Sequence, residues 1–134
     1  MNTYEMIDAA AALIETGGWS QGCNARDADG EMTMLDPGPD GSQPVAFCAH
    51  GALCMIAQKV TPKVGDSAYF APNNIEGRAF DALNRASPAG AIVAFNDTPG
   101  RTKEEVIALM RDTASKLRTA EVVADDKLHA ALFN

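Results

Sequence analysis

Most residue types that announce a chemistry are scarce in this chain. Among 134 residues there are two histidines, three cysteines and one tryptophan, and aromatics make up 6%. Cys23, Cys48 and Cys54 form no CxxC pair and no paired ligand spacing, so they spell neither a zinc knuckle nor a disulfide framework. They read as reduced thiols used as small apolar residues. Basic residues are the minority charge: 11 Lys and Arg against 18 Asp and Glu leave a formal net charge of −7. A surface that neutralises phosphates needs clustered cations, so no direct contact with nucleic acid or an anionic membrane is expected. Long apolar runs are missing as well. None approaches the roughly 20 residues that span a bilayer. The start, MNTYEMIDAAAALIE, has no basic region and only a short apolar stretch, Ala9 to Ile14. That is not a secretory signal, and the expected location is the cytoplasm.

What is present suits a globular domain. The composition is 46% hydrophobic and 22% charged, and a chain of this length buries roughly two-thirds of its unfolded surface without disulfides or metals. One domain, 1–134, is expected, with 121–134 as a tail. Asn2 and Glu5 make a capping pair that opens a helix over about 3–16, stopped by Gly17-Gly18. Asp29-Gly30 predicts a hairpin with strands near 21–27 and 31–35, and DPGPDGSQP a loop. Pro44 suits the first turn of a second helix reaching about Lys59. Asn73 or Asn74 caps a third, ending near Ser87-Pro88. The apolar run at 91–95 reads as a central strand, and Asn96 to Gly100 as a turn. Thr102 and Glu105 form a capping box for a helix buried along Val106, Ile107, Met110, Ala114 and Leu117. A short tail helix spans about Asp126 to Phe133. The fold class is α+β: a small antiparallel or mixed sheet, the hairpin plus one central strand, packed with three to four helices.

FCAHGALCM, 47–55, gathers two cysteines and a histidine. At about 100° per residue, Ala49, Leu53, Ile56 and Val60 form the core face, Cys48 lies to one side, and His50 and Cys54 lie opposite beside Phe47. Three ligands do not converge from there, so no metal is expected. Cys48, close to a helix N-terminus, is the credible nucleophile because the dipole favours its thiolate, yet it lacks a base within reach. The all-round apolar helix suggests layers on both faces or a homodimer through Phe47, His50 and Cys54.

Elsewhere ARDADG fails as a calcium loop, because its first position is Ala25 and its twelfth Asp36. Arg26 and Asp27 sit on the rim of that turn. PGRT at 99–102 is no phosphate loop, since Phe95 and Arg101 replace the required Gly and Lys. Even so, Arg101 and Thr102 beside a helix N-terminus suit a small anion, and Asn96 and Asp97 stand where ligand sites often lie. Thr102 as a cap and Arg101 paired with Asp97 or Asp27 is the structural alternative.

Taken together, GGWSQGCNARDADG at 17–30, FCAHGAL at 47–53 and IVAFNDTPGRTKEEVIALM at 92–110 resemble a family of small bacterial and phage proteins known only as a domain of unknown function. Its marks are ARDADG, FCAxGAL and NDxxGRTxxEV motifs. The resemblance covers about 4–118; Phe95 stands where the family often has Trp, and the tail from about Glu121 has no counterpart. It implies a fold and a bacterial or phage setting, and no reaction.

The expected function is therefore a non-enzymatic accessory protein that binds another, unidentified protein, with an acidic surface suited to occluding a nucleic-acid-binding partner. No cofactor is expected. The alternative is a small cysteine-dependent hydrolase or small-anion binder centred on Cys48, Asn96, Asp97 and Arg101, with Cys48 and Asp97 catalytic.

Overall fold

A computed structural model describes residues 1–60 and 75–133. The expected cap at Asn73 or Asn74 lies outside them. Helix α1, Thr3–Thr16, opens on the anticipated capping box: Asn2 Oδ1 accepts the Glu5 N–H at 3.0 Å, and Glu5 Oε1 accepts the Asn2 N–H at 3.1 Å. Its face of Met6, Ile7, Ala10, Ala11 and Ile14 is fully buried. Against it lies α5, Lys103–Phe133, running antiparallel. Lys103 Nζ reaches the Glu15 carbonyl at one end of the pair, and Arg118 reaches Asp8 and covers the Tyr4 ring at the other. Small alanines let these helices approach closely, so Val106, Met110 and Ala114 disappear from solvent.

The second helix begins later than Pro44 suggests. Residues 46–47 form strand β2, Ala46–Phe47, which pairs antiparallel with β1, Ala25–Arg26, in the register Ala25 to Phe47 and Arg26 to Ala46. Pro44 precedes the strand, where its missing N–H costs no ladder bond. The Asp29-Gly30 turn is present, with Gly30 at φ +81° and its N–H on the Asp27 carbonyl. It returns the chain only for a single bridge, Arg26 to Met32. The expected hairpin is therefore mostly replaced by a pairing with residues about twenty positions on.

Helix α2, Ala49–Val60, is the centre of the molecule, covered by α1, by α3, Ile75–Ala86, and by α4, Ile92–Asp97. Leu53 and Ala49 are buried as expected, while Val60 is exposed. The all-round apolar character of α2 is satisfied within one chain: Phe47 and Cys54 are each 3% exposed, and Phe80 of α3 packs edge-on to His50. Two of the three residues of the expected dimer face, Phe47 and Cys54, are thus buried, and His50 is half-buried. Close packing also fixes Gly51, since a methyl group there would run into the Asn24 carbonyl.

The run at 91–95 is not a strand. It is α4, whose buried residues are Ile92 and Asn96, four apart, while Val93 faces solvent. Asn84 Oδ1 accepts the Ile92 N–H at 2.9 Å and starts the turn. A short apolar run fits strand and helix equally by pattern, and this tertiary bond decides between them. The chain is thus mostly helical, with five helices and one two-stranded antiparallel sheet among the described residues. No described helix is long and apolar enough to cross a membrane.

Candidate functional site

Asn96 is the polar centre of the fold. It is fully buried in the last turn of α4, facing the N-terminus of α2. Its Oδ1 accepts the Trp19 indole N–H at 2.9 Å and the Ala49 N–H at 3.1 Å. Its Nδ2 donates to the Ser20 carbonyl at 3.0 Å and to Asp97 Oδ1 at 2.9 Å. The indole only donates, which fixes the orientation of the amide. Around this hub Asp97 Oδ1 also accepts the Gly22 N–H, and Gln21 donates to the carbonyls of Asn96 and Thr98. Segment 19–22 is thereby fastened to α4, and one open N–H of α2 is closed. Every polar group of Asn96 is consumed inside the protein.

The start of α2 is closed a second time by Cys48. Its Sγ accepts the Gly51 N–H at 3.2 Å and lies 3.6 Å from Asn24 Oδ1. Burial pushes the Cys48 thiol up, outweighing the lowering contacts from the N–H groups of Gly51 and His50. Burial thus works against the thiolate that the helix dipole is expected to favour. His50 is closer than expected. Its Nδ1 lies 2.9 Å from the same Asn24 Oδ1, because Cys48 stands before the helix and escapes the 100° rule that would set the two apart. His50 Nε2 then faces Cys54 Sγ at 4.0 Å. A thiol, an imidazole and an amide thus line up as Cys54, His50 and Asn24, yet Cys48 and Cys54 are 5% and 3% exposed. A nucleophile needs a base and an approach, and here the approach is closed.

The remaining sequence candidates are joined to their own turns. Arg101 donates from Nε to the Phe95 carbonyl at 3.0 Å, lies 3.7 Å above the Phe95 ring, and pairs with Glu105 at 2.9 Å. Its carboxylate partner is thus Glu105, neither Asp97 nor Asp27. Thr102 caps α5 reciprocally with Glu105. The hydrogen bond from Arg101, then the Thr102 N–H, hold the Glu105 carboxyl below its ordinary range. An incoming anion would meet Glu104 and Glu105 in that first turn. Arg26 donates to the carbonyls of Gly30 and Gln21, and Asp27 accepts the N–H groups of Asp29 and Glu31. Asn96, Asp97 and Arg101 share one corner of the molecule; Arg26 is joined to it through the Gln21 carbonyl, and Asp27 stays with its own turn. Among the described residues no group of three or more His, Cys, Asp or Glu is placed to hold a metal ion.

What is left without a described neighbour is the distal part of α5. After Leu117 every residue to Phe133 is exposed, including Val122, Val123, Leu128, Leu132 and Phe133 at 45–72%. The buried stripe Val106, Met110, Ala114 runs on through Leu117 into Ala124, Leu128 and Ala131, past the end of α1 that covered it. The sequence reading missed Asn24 and this arm. Nothing local marks Asn24, whereas the absence of Pro and Gly between Arg101 and Phe133 is a signal for one unbroken helix.

The comparisons with known proteins end where the arm begins. Residues 1–116 match a family described as a family of unknown function (DUF6197). No curated protein and no solved structure matches the chain. By the extent of that match, over the whole helical body and its Asn96 hub, the chain belongs to the DUF6197 family.

Proposed function

We propose that this protein is non-catalytic and acts by binding another protein chain through the distal part of α5. The observation that carries the reading is the exposed apolar stripe of an arm that continues a buried one. Most helical stability in proteins comes from packing an apolar face, and this part of α5 has no described face to pack on. Each Val, Leu or Phe side chain buried against one contributes roughly 1.5–3 kcal/mol, before the cost of association. The arm's Glu121, Asp125 and Asp126 add to a net charge of −7, which suits a basic partner face; an acidic inhibitor of a nucleic-acid-binding protein, in a bacterial or phage setting, fits that chemistry. The alternative centred on Cys48, Asn96, Asp97 and Arg101 has less support, because each of those groups is already engaged inside the fold.

The test compares the tagged full chain with one ending at Leu117, each followed by size-exclusion of host lysate. Among the described residues none beyond Ala114 is buried, so the shorter chain keeps its core. The full chain is expected to elute well above 14.1 kDa and the truncated one at its own mass. Identical elution of the two would remove the arm as the binding surface.

A further inference from the structure

We infer that the arm's occupant is a second copy of this chain, each arm lying in a groove of the other copy. The inference rests on the arm being a protein-binding surface and names what it binds. The groove, about 550 Å³, lies between α3 and α5 beside the start of α1. Ala82 and Leu117 give it an apolar floor, and Arg78, Arg85 and Lys116 stand along its rim. Arg85 pairs with Asp81 and Lys116 with Asp112, each at 2.9 Å and both well exposed. Such pairs on a helix surface are worth only a few tenths of a kcal/mol and exchange easily. With Asp81 and Asp112 set against Arg78, Arg85 and Lys116, the rim keeps one positive charge in excess in a chain whose net charge is −7.

The arm offers the complement. Leu117, Ala124, Leu128 and Ala131 keep to one face at about 100° per residue, Glu121 lies on that face and Asp125 beside it, and Lys127 is the one lysine or arginine from Thr119 to Phe133. Leu117 and Lys116 belong both to the groove and to the helix that becomes the arm. The arm thus leaves from the edge of its own groove, and a straight helix does not fold back into it. A two-fold axis near that point lays each arm, antiparallel, over the groove of the other copy, so one patch serves twice. The arm is about 24 Å long. Two contacts of that length, each about 10 Å wide, bury on the order of 1,000 Å², the low end for a specific interface. The dimer is accordingly expected to form and dissociate in the micromolar range.

Sedimentation equilibrium of the purified full chain, from about 5 to about 200 µM in low salt, tests this. The mass is expected to rise from about one chain to about two, and the chain ending at Leu117 to stay monomeric. A charge exchange tests the pairing itself. R78E/R85E and E121K/D125K are each expected to be monomeric, and their equimolar mixture to recover the dimer, because each arm then meets a groove of opposite sign. The second variant changes only exposed arm residues, so it stays informative if the first fails to fold. A monomer throughout, a dimer that survives truncation, or a mixture of folded variants that stays monomeric would each overturn the inference. A monomer in isolation together with an arm-dependent complex in lysate overturns the second copy and leaves the arm; monomers in both overturn the arm as well.

Discussion

Replacing Asn96 by alanine deletes four hydrogen bonds at once, and the structure says which of them hurt. The Ala49 N–H and the Ser20 carbonyl are buried and lose their partner outright, while the half-buried Trp19 indole regains water. A buried group left unpaired costs about 1–3 kcal/mol, so two of them with the void total roughly 3–5 kcal/mol. Against the roughly 5–15 kcal/mol that holds a domain together, that is a large share, and the melting temperature should fall by about 10–20 °C. Asn96→Asp separates hydrogen bonding from packing. Its shape is kept, and one oxygen still serves Trp19 and Ala49, but the other replaces Nδ2 and faces two acceptors, the Ser20 carbonyl and Asp97 Oδ1. Only a protonated carboxyl can donate there, so the folded state holds the proton above the ordinary Asp value of about 3.9. Folded and unfolded chains are both protonated below about pH 4, where the deficit is smallest; it grows as pH rises through the folded-state value and then levels. Calorimetric melts of wild type and both variants at about pH 4, 5.5 and 7.5 check this. An Asn96→Ala variant melting within about 5 °C of wild type, or an Asn96→Asp deficit equal at every pH, would refute the hub.

Three further outcomes follow from the same packing. Gly51→Ala should lose at least about 2 kcal/mol by chemical denaturation, since its methyl meets the Asn24 carbonyl and neither backbone can yield cheaply; a variant as stable as wild type would contradict that contact. Glu105 is held low by Arg101 and Thr102, and Asp27 by the Glu31 N–H, so both stabilise the fold above their unfolded values of about 4.3 and 3.9 and that support is lost as pH falls through the folded ones. The acid-side decline in melting temperature should therefore be shallower in Glu105→Gln, and an unchanged slope counts against the box. In iodoacetamide labelling followed by mass spectrometry at neutral pH, half-exposed Cys23 should react first and buried Cys48 only on unfolding; fast labelling of Cys48 would restore the thiol reading.

How much of the fold is legible in the sequence depends on how local its cause is. Asn2 with Glu5, and Thr102 with Glu105, fix two helix starts within three residues, and both starts are where the sequence puts them. The pairing of Ala25 with Phe47 joins positions 22 apart, so Asp29-Gly30 alone suggests a longer hairpin than exists. At 91–95 pattern is silent between strand and helix, and the bond from Ile92 to Asn84 settles it. In α5 the β-branched Thr119, Val122 and Val123 lower helix propensity enough to suggest a break. No Pro or Gly enforces one, and good helix formers on either side carry the helix through.

The candidate site follows the same rule with a sharper consequence. Residue type nominates Asn96, Asp97, Arg101, Cys48 and His50, because amides, carboxylates, guanidinium groups and thiols near helix ends are the raw material of binding sites. The same groups are also what a small helical body needs to close its helix ends, and the difference is where their hydrogen bonds go. For Asn96 the partners stand 47 and 77 positions away, at Ala49 and Trp19, so no window of sequence contains the answer. Arg101 resolves locally, with Phe95 six residues before it and Glu105 four after. With those groups spent on holding α2, α4 and the 19–22 segment together, the body is rigid where its sequence looks most reactive. The arm is the opposite case: its residues are unremarkable one by one, and it stands out only because the stripe that α1 covers continues for four more turns after α1 has ended.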